Sequence, residues 1–364
     1  VTRLDRRVRA IMFACALLSL LAAGDALVSH RPQLPRRVAR VSAAEGAAPS
    51  PAVGSAPPAA EAVPPQTMAQ CLAQAQAATV QAIQDGIRIM EVEFPPLPAD
   101  RLDQPDTSAY DISKANTDLA VSFASGLEKQ MGKRVAILYP DVAELERAIE
   151  DKLSDEPAAG VTLHSMRKPY VLAELGTVFS AIFGGKGELM IQPVPDADVY
   201  VCLTFSAQEL PDVEALCVKE KFDKPVILFN LKLDTQRGDL GLPAFPPKDL
   251  QWRFLSRVVP VYYLRTRQYS ISMPKPPFVV NYQGAIFRQY PGRYQSLLDT
   301  GKNYRPVEIQ SRRPALGEFK EILTNALRLG ETGELATFAR TGFKSITWWE
   351  EDKGKEELFD DWRR

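Results

Sequence analysis

Three short segments, RVAILYPD (134–141), DADVYVCLTFS (196–206) and KPVILFNLKL (224–233), are apolar almost without a break. A strand with one wet face alternates apolar and polar residues; a strand buried on both faces does not. GIRIMEVEFPP (86–96) and GVTLHSM (160–166) read as two further strands. Helical spacing fills the intervals at MAQCLAQAQAATVQAIQDG (68–86), DVAELERAIEDKL (141–153), PYVLAELGTVFSAIFG (169–184) and DVEALCVKEKF (212–222). TDLAVSFASGLEKQM (117–131) is a further helix, capped by Ser113 or Asn116. Strand–helix units of this size predict an α/β fold with a Rossmann-like, doubly wound and mainly parallel sheet of five strands. Beyond residue 250 the style changes. VVPVYYLRTRQYS (258–270), FVVNYQGAIFRQY (278–290) and RPVEIQS (305–311) are strand-like with no long helix between them, which predicts an antiparallel edge near the C-terminus. GEFKEILTNALRLG (317–330) closes the domain, with Gly330 as its C-cap.

The folded domain is therefore expected over 67–330. Ahead of it, 1–26 has a basic start, an apolar run and small residues before a cleavage point, the make-up of a signal peptide. Residues 27–44 are Arg-rich and contain no acid, like a transit peptide, and 45–66 is an Ala/Pro-rich linker. This tandem order predicts a plastid of secondary origin and a mature protein lacking residues 1–26; ordinary secretion is the alternative. The stretch 331–364 is an acidic, Trp-bearing tail, expected to be disordered or weakly docked.

Known chemistries find little purchase. FGGKGEL (183–189) and GDLGLP (238–243) have neither P-loop nor dinucleotide spacing. His164 is the single histidine past the leader, so no metal set and no activated nucleophile is expected. Cys71, Cys202 and Cys217 are scattered, and read as reduced thiols. No catalytic residue, cofactor or metal ligand is assigned. One loop sits where α/β ligands bind, at the carboxyl end of a strand: Asn230, Lys232, Asp234, Arg237 and Asp239 follow the apolar run VILF. It is a candidate small-molecule or nucleotide site, or else a solvated turn with surface ion pairs.

Charge segregates more sharply. The net charge is −1, yet residues 252–313 hold eleven Lys/Arg against two acids, interleaved with eleven aromatics. Arg265, Arg267, Tyr269, Arg288, Tyr290 and Arg293 are expected to form one exposed basic, aromatic face suited to an acidic partner or an anionic surface. The alternative is that these arginines pair internally with Asp and Glu. No RNP-like pattern is present, so nucleic acid is not expected as a partner.

AIQDGIRIMEVEFPP, ILFNLKL, FLSRVVPVYYLR and above all GAIFRQYPGRYQ resemble a plastid and cyanobacterial domain-of-unknown-function family. That family includes the low photosystem II accumulation assembly factors, and its domain also extends a plastid adenylate kinase. The resemblance covers roughly 67–330 and brings no catalytic residues. It implies a non-enzymatic protein of the stroma or the stromal face of the thylakoid. Its implied partners are a photosystem II subunit, the insertion machinery or the thylakoid surface. The resemblance implies an aromatic such as Trp directly after Pro-Gly; Arg293 stands there instead and Tyr294 follows, a departure that weakens a binding role for Tyr294.

Overall fold

The computed structural model describes residues 61–102, 104–151, 156–167, 191–273, 276, 278–328, 347–351 and 356–364. The leader segments, most of the linker, the helix expected over 169–184, the FGGKGEL stretch and Gly330 lie outside them. The chain order is α1 (Met68–Gln84), β1 (Ile89–Glu93), the single turn α2 (Ala99–Leu102), α3 (Ala109–Met131), β2 (Val135–Tyr139), α4 (Val142–Glu150), β3 (Val161–Ser165) and β4 (Val199–Cys202). It continues with α5 (Leu210–Lys219), β5 (Val226–Phe229), α6 (Leu233–Asp239), α7 (Asp249–Arg253), β6 (Val259–Ser272), β7 (Val279–Gln289), β8 (Tyr294–Asp299), β9 (Tyr304–Gln310), α8 (Leu316–Ala326) and α9 (Trp348–Glu351). Among the described residues no helix is long and apolar enough to cross a membrane.

The nine strands form one sheet in the order β3-β2-β4-β5-β1-β6-β7-β8-β9. The first five are mutually parallel, and the start of β6 runs parallel to β1, pairing Met90 with Val259 and Glu93 with Tyr263. The rest of β6 then pairs antiparallel with β7, from Tyr262↔Gln289 to Ser272↔Val279. A single 14-residue strand thus joins the parallel core to the antiparallel edge. The Rossmann-like expectation holds, and YQSLLD is a strand that the sequence reading left out.

Strand residues divide cleanly between two apolar layers, as a sheet covered on both faces requires. Met90, Val92, Ile137, Val201 and Phe229 pack with α1, α3 and α4 on one face. Ile89, Leu138, Cys202 and Leu228 pack with α5, α6 and α7 on the other. Cys202 and Cys217 are small apolar fillers here: both are buried free thiols, and burial pushes Cys217 up to about 12. A third apolar layer, with Tyr263, Tyr282, Ile286, Phe319 and Leu323, lies between the antiparallel strands and α8.

Local signals explain the boundaries. α3 starts before the expected caps, because Ser108 and Asp111 form a reciprocal capping box; Asn116 becomes a mid-helix residue. Gly132 ends that helix at φ 63°. The phrase GAIFRQYPGRYQ is the β7–β8 hairpin. Its Tyr290-Pro291-Gly292 turn closes with Gly292 N–H donating to Gln289 O at 2.8 Å. The tail reading is corrected by residues 347–351 and 356–364, which are built into the fold. Trp349 and Trp362 are each 2% exposed, and Arg313 N–H donates to Arg363 O at 2.8 Å. The end of the linker is engaged too, since Glu61 Oε1 accepts from Arg293 Nε at 2.6 Å.

Close packing of α8 on β7 depends on Gly284. A Cβ there would lie 2.3 Å from Leu297 O and 2.8 Å from Leu323 Cδ1. Gly284→Ala is expected to lower stability by about 1–3 kcal/mol, the usual cost of overpacking. Urea unfolding followed by tryptophan fluorescence measures it, and an unchanged midpoint would mean that both α8 and the β7–β8 pairing yield to the methyl group at no cost.

Candidate functional site

β1 sends its chain through α3 on one face of the sheet, whereas its neighbour β5 sends its chain through α6 and α7 on the other. Diverging connections leave a crevice outside the carboxyl ends of two such strands, the position where open α/β sheets hold ligands. A cleft of about 420 Å³ occupies it, between the ends of β1 and β5, the middle of β6 and the flank of α3. Phe94, Pro95, Pro96, Ile112 and Leu264 give it an apolar wall. Glu93, Asn116, Asn230, Lys232, Thr235 and Arg265 give it a polar one.

Asn230 is the keystone of the polar wall. Its backbone is left-handed at φ 51°, a conformation asparagine tolerates better than most residues. Its Oδ1 accepts from Phe94 N–H, and its Nδ2 donates to Asn116 Oδ1, both at 2.9 Å. Lys232 is left-handed as well, at φ 53°, and its N–H donates to Glu93 Oε2 at 2.9 Å. Two non-glycine residues in this region within three positions store strain at a cleft, a frequent mark of working loops. The expected solvated loop is otherwise corrected: residues 233–239 form α6, which turns Asp234 and Arg237 into the interior.

Beneath the cleft runs a layer of buried charge. Asp234 Oδ1 and Oδ2 accept from Arg313 Nη2 at 2.5 and 2.6 Å, and Oδ2 accepts from Tyr263 Oη at 2.8 Å and Arg267 Nη2 at 3.3 Å. Arg265 Nη1 and Arg237 Nη1 lie 3.5 Å from the same carboxylate. Glu91, 1% exposed, faces Arg313 at 3.8 Å without a hydrogen bond. Arg237 is fully buried, donates from Nε to Gln251 at 2.9 Å, and stacks 4.9 Å from the Trp362 ring centroid.

These surroundings set the acids apart. Burial alone would raise the Asp234 carboxyl, but Arg313, Arg265 and Arg237 outweigh it and hold Asp234 well below the usual range. Burial pushes Glu93 up to about 7, against the pull of Arg265 and with a small push from Glu91. Glu91 is also raised by burial, which Arg313 and Arg237 only partly offset.

The expected basic face is corrected on the same grounds. Arg265, Arg267, Tyr269 and Arg288 do share one side of the β6–β7 ribbon, but it is the covered side. Arg265 and Arg267 are occupied by Asp234, and Tyr269 packs on Tyr282 and Phe319. Arg288 is buried, donating to Pro260 O at 2.8 Å, Gly292 O at 3.1 Å and the main-chain oxygen of Arg364. Tyr290 belongs to the opposite layer and donates to Asp85, while Arg293 is exposed and paired with Glu61. Tyr294 is buried against α8. The structure instead joins the two sequence candidates: Asp234 and Arg237 meet Arg265 and Arg267 in one cluster.

The sequence reading missed Glu91, Glu93, Tyr263 and Arg313. The signal for the first two was two glutamates inside a strand expected to be buried on both faces. Nothing local marks Arg313, which is 79 residues from its partner Asp234. His164 sits on the edge strand β3, its Nε2 2.9 Å from Thr162 Oγ1. Among the described residues no group of three His, Cys, Asp or Glu side chains is placed to hold a metal.

Removing the shared carboxylate leaves several guanidiniums uncompensated. Asp234→Asn is expected to cost about 3–5 kcal/mol in chemical unfolding; a cost below 1 kcal/mol would mean the arginines have other counter-charges. For Glu93 the folded state holds its proton more tightly than the unfolded one, so stability falls as pH rises from about 4.5 to about 7 and is level above. Glu93→Gln is expected to remove that fall, gaining up to about 3 kcal/mol on wild type across the window. Parallel stability–pH curves for the two proteins would refute the assignment.

No curated protein matches the chain at a significant level. Residues 65–321 match the family described as Domain of unknown function (DUF1995), and the chain belongs to it.

Proposed function

We propose that the protein is a plastid factor that assists the accumulation of photosystem II by binding, without a turnover step, and that the cleft between the ends of β1 and β5 and the middle of β6 is its working element. The observation that carries the reading is the cleft itself. It joins an apolar wall to convergent polar groups at the switch point of an α/β sheet, the default place for a ligand. The plastid assignment, stromal or at the stromal face of the thylakoid, rests on the composition of residues 1–44 and on the phrases shared with the photosystem II accumulation factors. Binding is favoured over hydrolysis because Asp234, the acid that follows the apolar strand, is buried among arginines that hold it ionised far below neutral pH, which makes it a poor base.

One observation favours a second reading, an enzyme or ligand-binding regulator. Glu93 faces the cleft with its carboxyl near 7, a value suited to proton transfer at neutral pH.

Complementation separates the two. In a host lacking the protein, Thr266→Trp, which fills the cleft mouth from an exposed strand position, is expected to accumulate normally yet fail to restore photosystem II. Glu93→Gln is expected to restore it. Rescue by Thr266→Trp at the wild-type level would rule out the cleft as the working element, and loss of rescue with Glu93→Gln, at normal protein abundance, would favour the enzyme.

A further inference from the structure

We infer that the cleft receives a small organic acid, its carboxylate held by Arg265 and its apolar body laid against Phe94, Pro96, Ile112 and Leu264; this rests on the cleft being the working site. The argument is a charge count. Arg237, Arg265, Arg267 and Arg313 share the buried layer with three carboxylates, Glu91, Glu93 and Asp234. Four fixed cations stand against three acids, one of which is half-neutral near pH 7. A surplus of positive charge in a low-dielectric region attracts an anion strongly.

At the cleft that surplus meets the outside beside an apolar wall. Arg265 is the member of the four that lines it. Its Nη2 is used by Thr235 at 3.0 Å, and its Nη1 is sealed inside beside Asp234. Its Nε makes no hydrogen bond among the described residues and is not sealed from solvent, so one donor remains for a ligand. Lys232 adds a second cation at the rim and enters no ion pair among the described residues. The apolar wall selects a body of hydrocarbon character, and about 420 Å³ suits a ligand at the lower end of ordinary small-molecule sites.

Glu93 then becomes a partner of the ligand. Protonated, it offers an O–H to the incoming carboxylate; ionised, it repels it. The charged groups acting on Glu93 are Arg265 on β6, Glu91 on β1 and Asp234 on α6, with the Lys232 N–H bound to its oxygen. Arg265 and Asp234 keep their charge throughout the neutral range, whereas Glu93, pushed up to about 7, changes state there.

Calorimetric titration of the full chain with octanoate, octyl phosphate and 1-octanol tests the assignment. Octanoate is expected to bind at least tenfold tighter than 1-octanol at pH 6, and about tenfold weaker at pH 8 than at pH 6. Glu93→Gln is expected to flatten that pH dependence, and Arg265→Gln to abolish the preference for octanoate. Should Arg265→Gln fail to fold, Lys232→Gln at the exposed rim is expected to weaken octanoate about threefold at an unchanged melting temperature. Thr266→Trp is expected to block octanoate and 1-octanol alike. Equal binding of octanoate and 1-octanol, a preference that survives in the folded Arg265→Gln protein, or octanoate binding undiminished in Lys232→Gln, overturns the acid while leaving the cleft as a small-molecule site. Tighter binding of octyl phosphate than octanoate overturns the carboxylate in favour of a phosphate head. Binding of none of the three removes both the ligand class and the cleft reading.

Discussion

The Asp234 carboxylate ties the two halves of this fold together. It sits on α6, in the connection that leaves the parallel core, and its ligands come from the antiparallel ribbon and from Arg313 beyond β9. Around it lie Glu91 and Glu93 of β1, so the polar layer separates the apolar cluster under β4 and β5 from the one under α8. Removing this much charge from water costs several kcal/mol per ion before any pairing energy is gained. An apolar layer of the same volume would stabilise the domain at least as well. The charged layer supplies register instead, since a slip of one residue along β6 would turn Arg265 and Arg267 to the opposite face.

The tail completes the same layer. Arg237 is fully buried: its Nε and Nη2 donate to Gln251 and to the main-chain oxygen of Leu255, its Nη1 faces Asp234 at 3.5 Å without a hydrogen bond, and the rings of Trp349 and Trp362 stack on it. Glu357 in turn accepts from Gln251, Trp362 and Arg363, all within 3.2 Å. An acidic segment with three tryptophans, expected from its composition to be disordered or weakly docked, supplies two of its rings to cover a buried arginine. Some of its partners lie more than a hundred residues away, as Gln251 does from Glu357.

This separation decides what was legible. Buried strands announce themselves locally, because three to five unbroken apolar residues need no knowledge of neighbours; the parallel core, the strand-to-helix order and the antiparallel edge followed from that alone. Caps were nearly legible: Ser108 and Asp111 have capping-box spacing, but the apolar periodicity that drew attention began at Thr117. The covered side of the β6–β7 ribbon was not legible. Alternation places Arg265, Arg267 and Tyr269 on one side, and that side suits water or carboxylates equally well.

What would have decided it was the other half of the pairing. Glu91 and Glu93 occupy a strand whose neighbours are apolar on both sides, and Asp234 follows a fully buried run. Acids in such places either neutralise or find cations. Within the described structure both happen: Asp234 finds arginines and stays charged, and Glu93, farther from them, is pushed up to about 7. The excess of basic residues in 252–313 is thus partly an internal counter-charge to acids placed earlier in the chain. Part of what is not consumed there reaches the cleft, where Arg265 lines the wall and Glu93 stands beside it. A basic segment and a polar loop that look like two rival sites are the two sides of one.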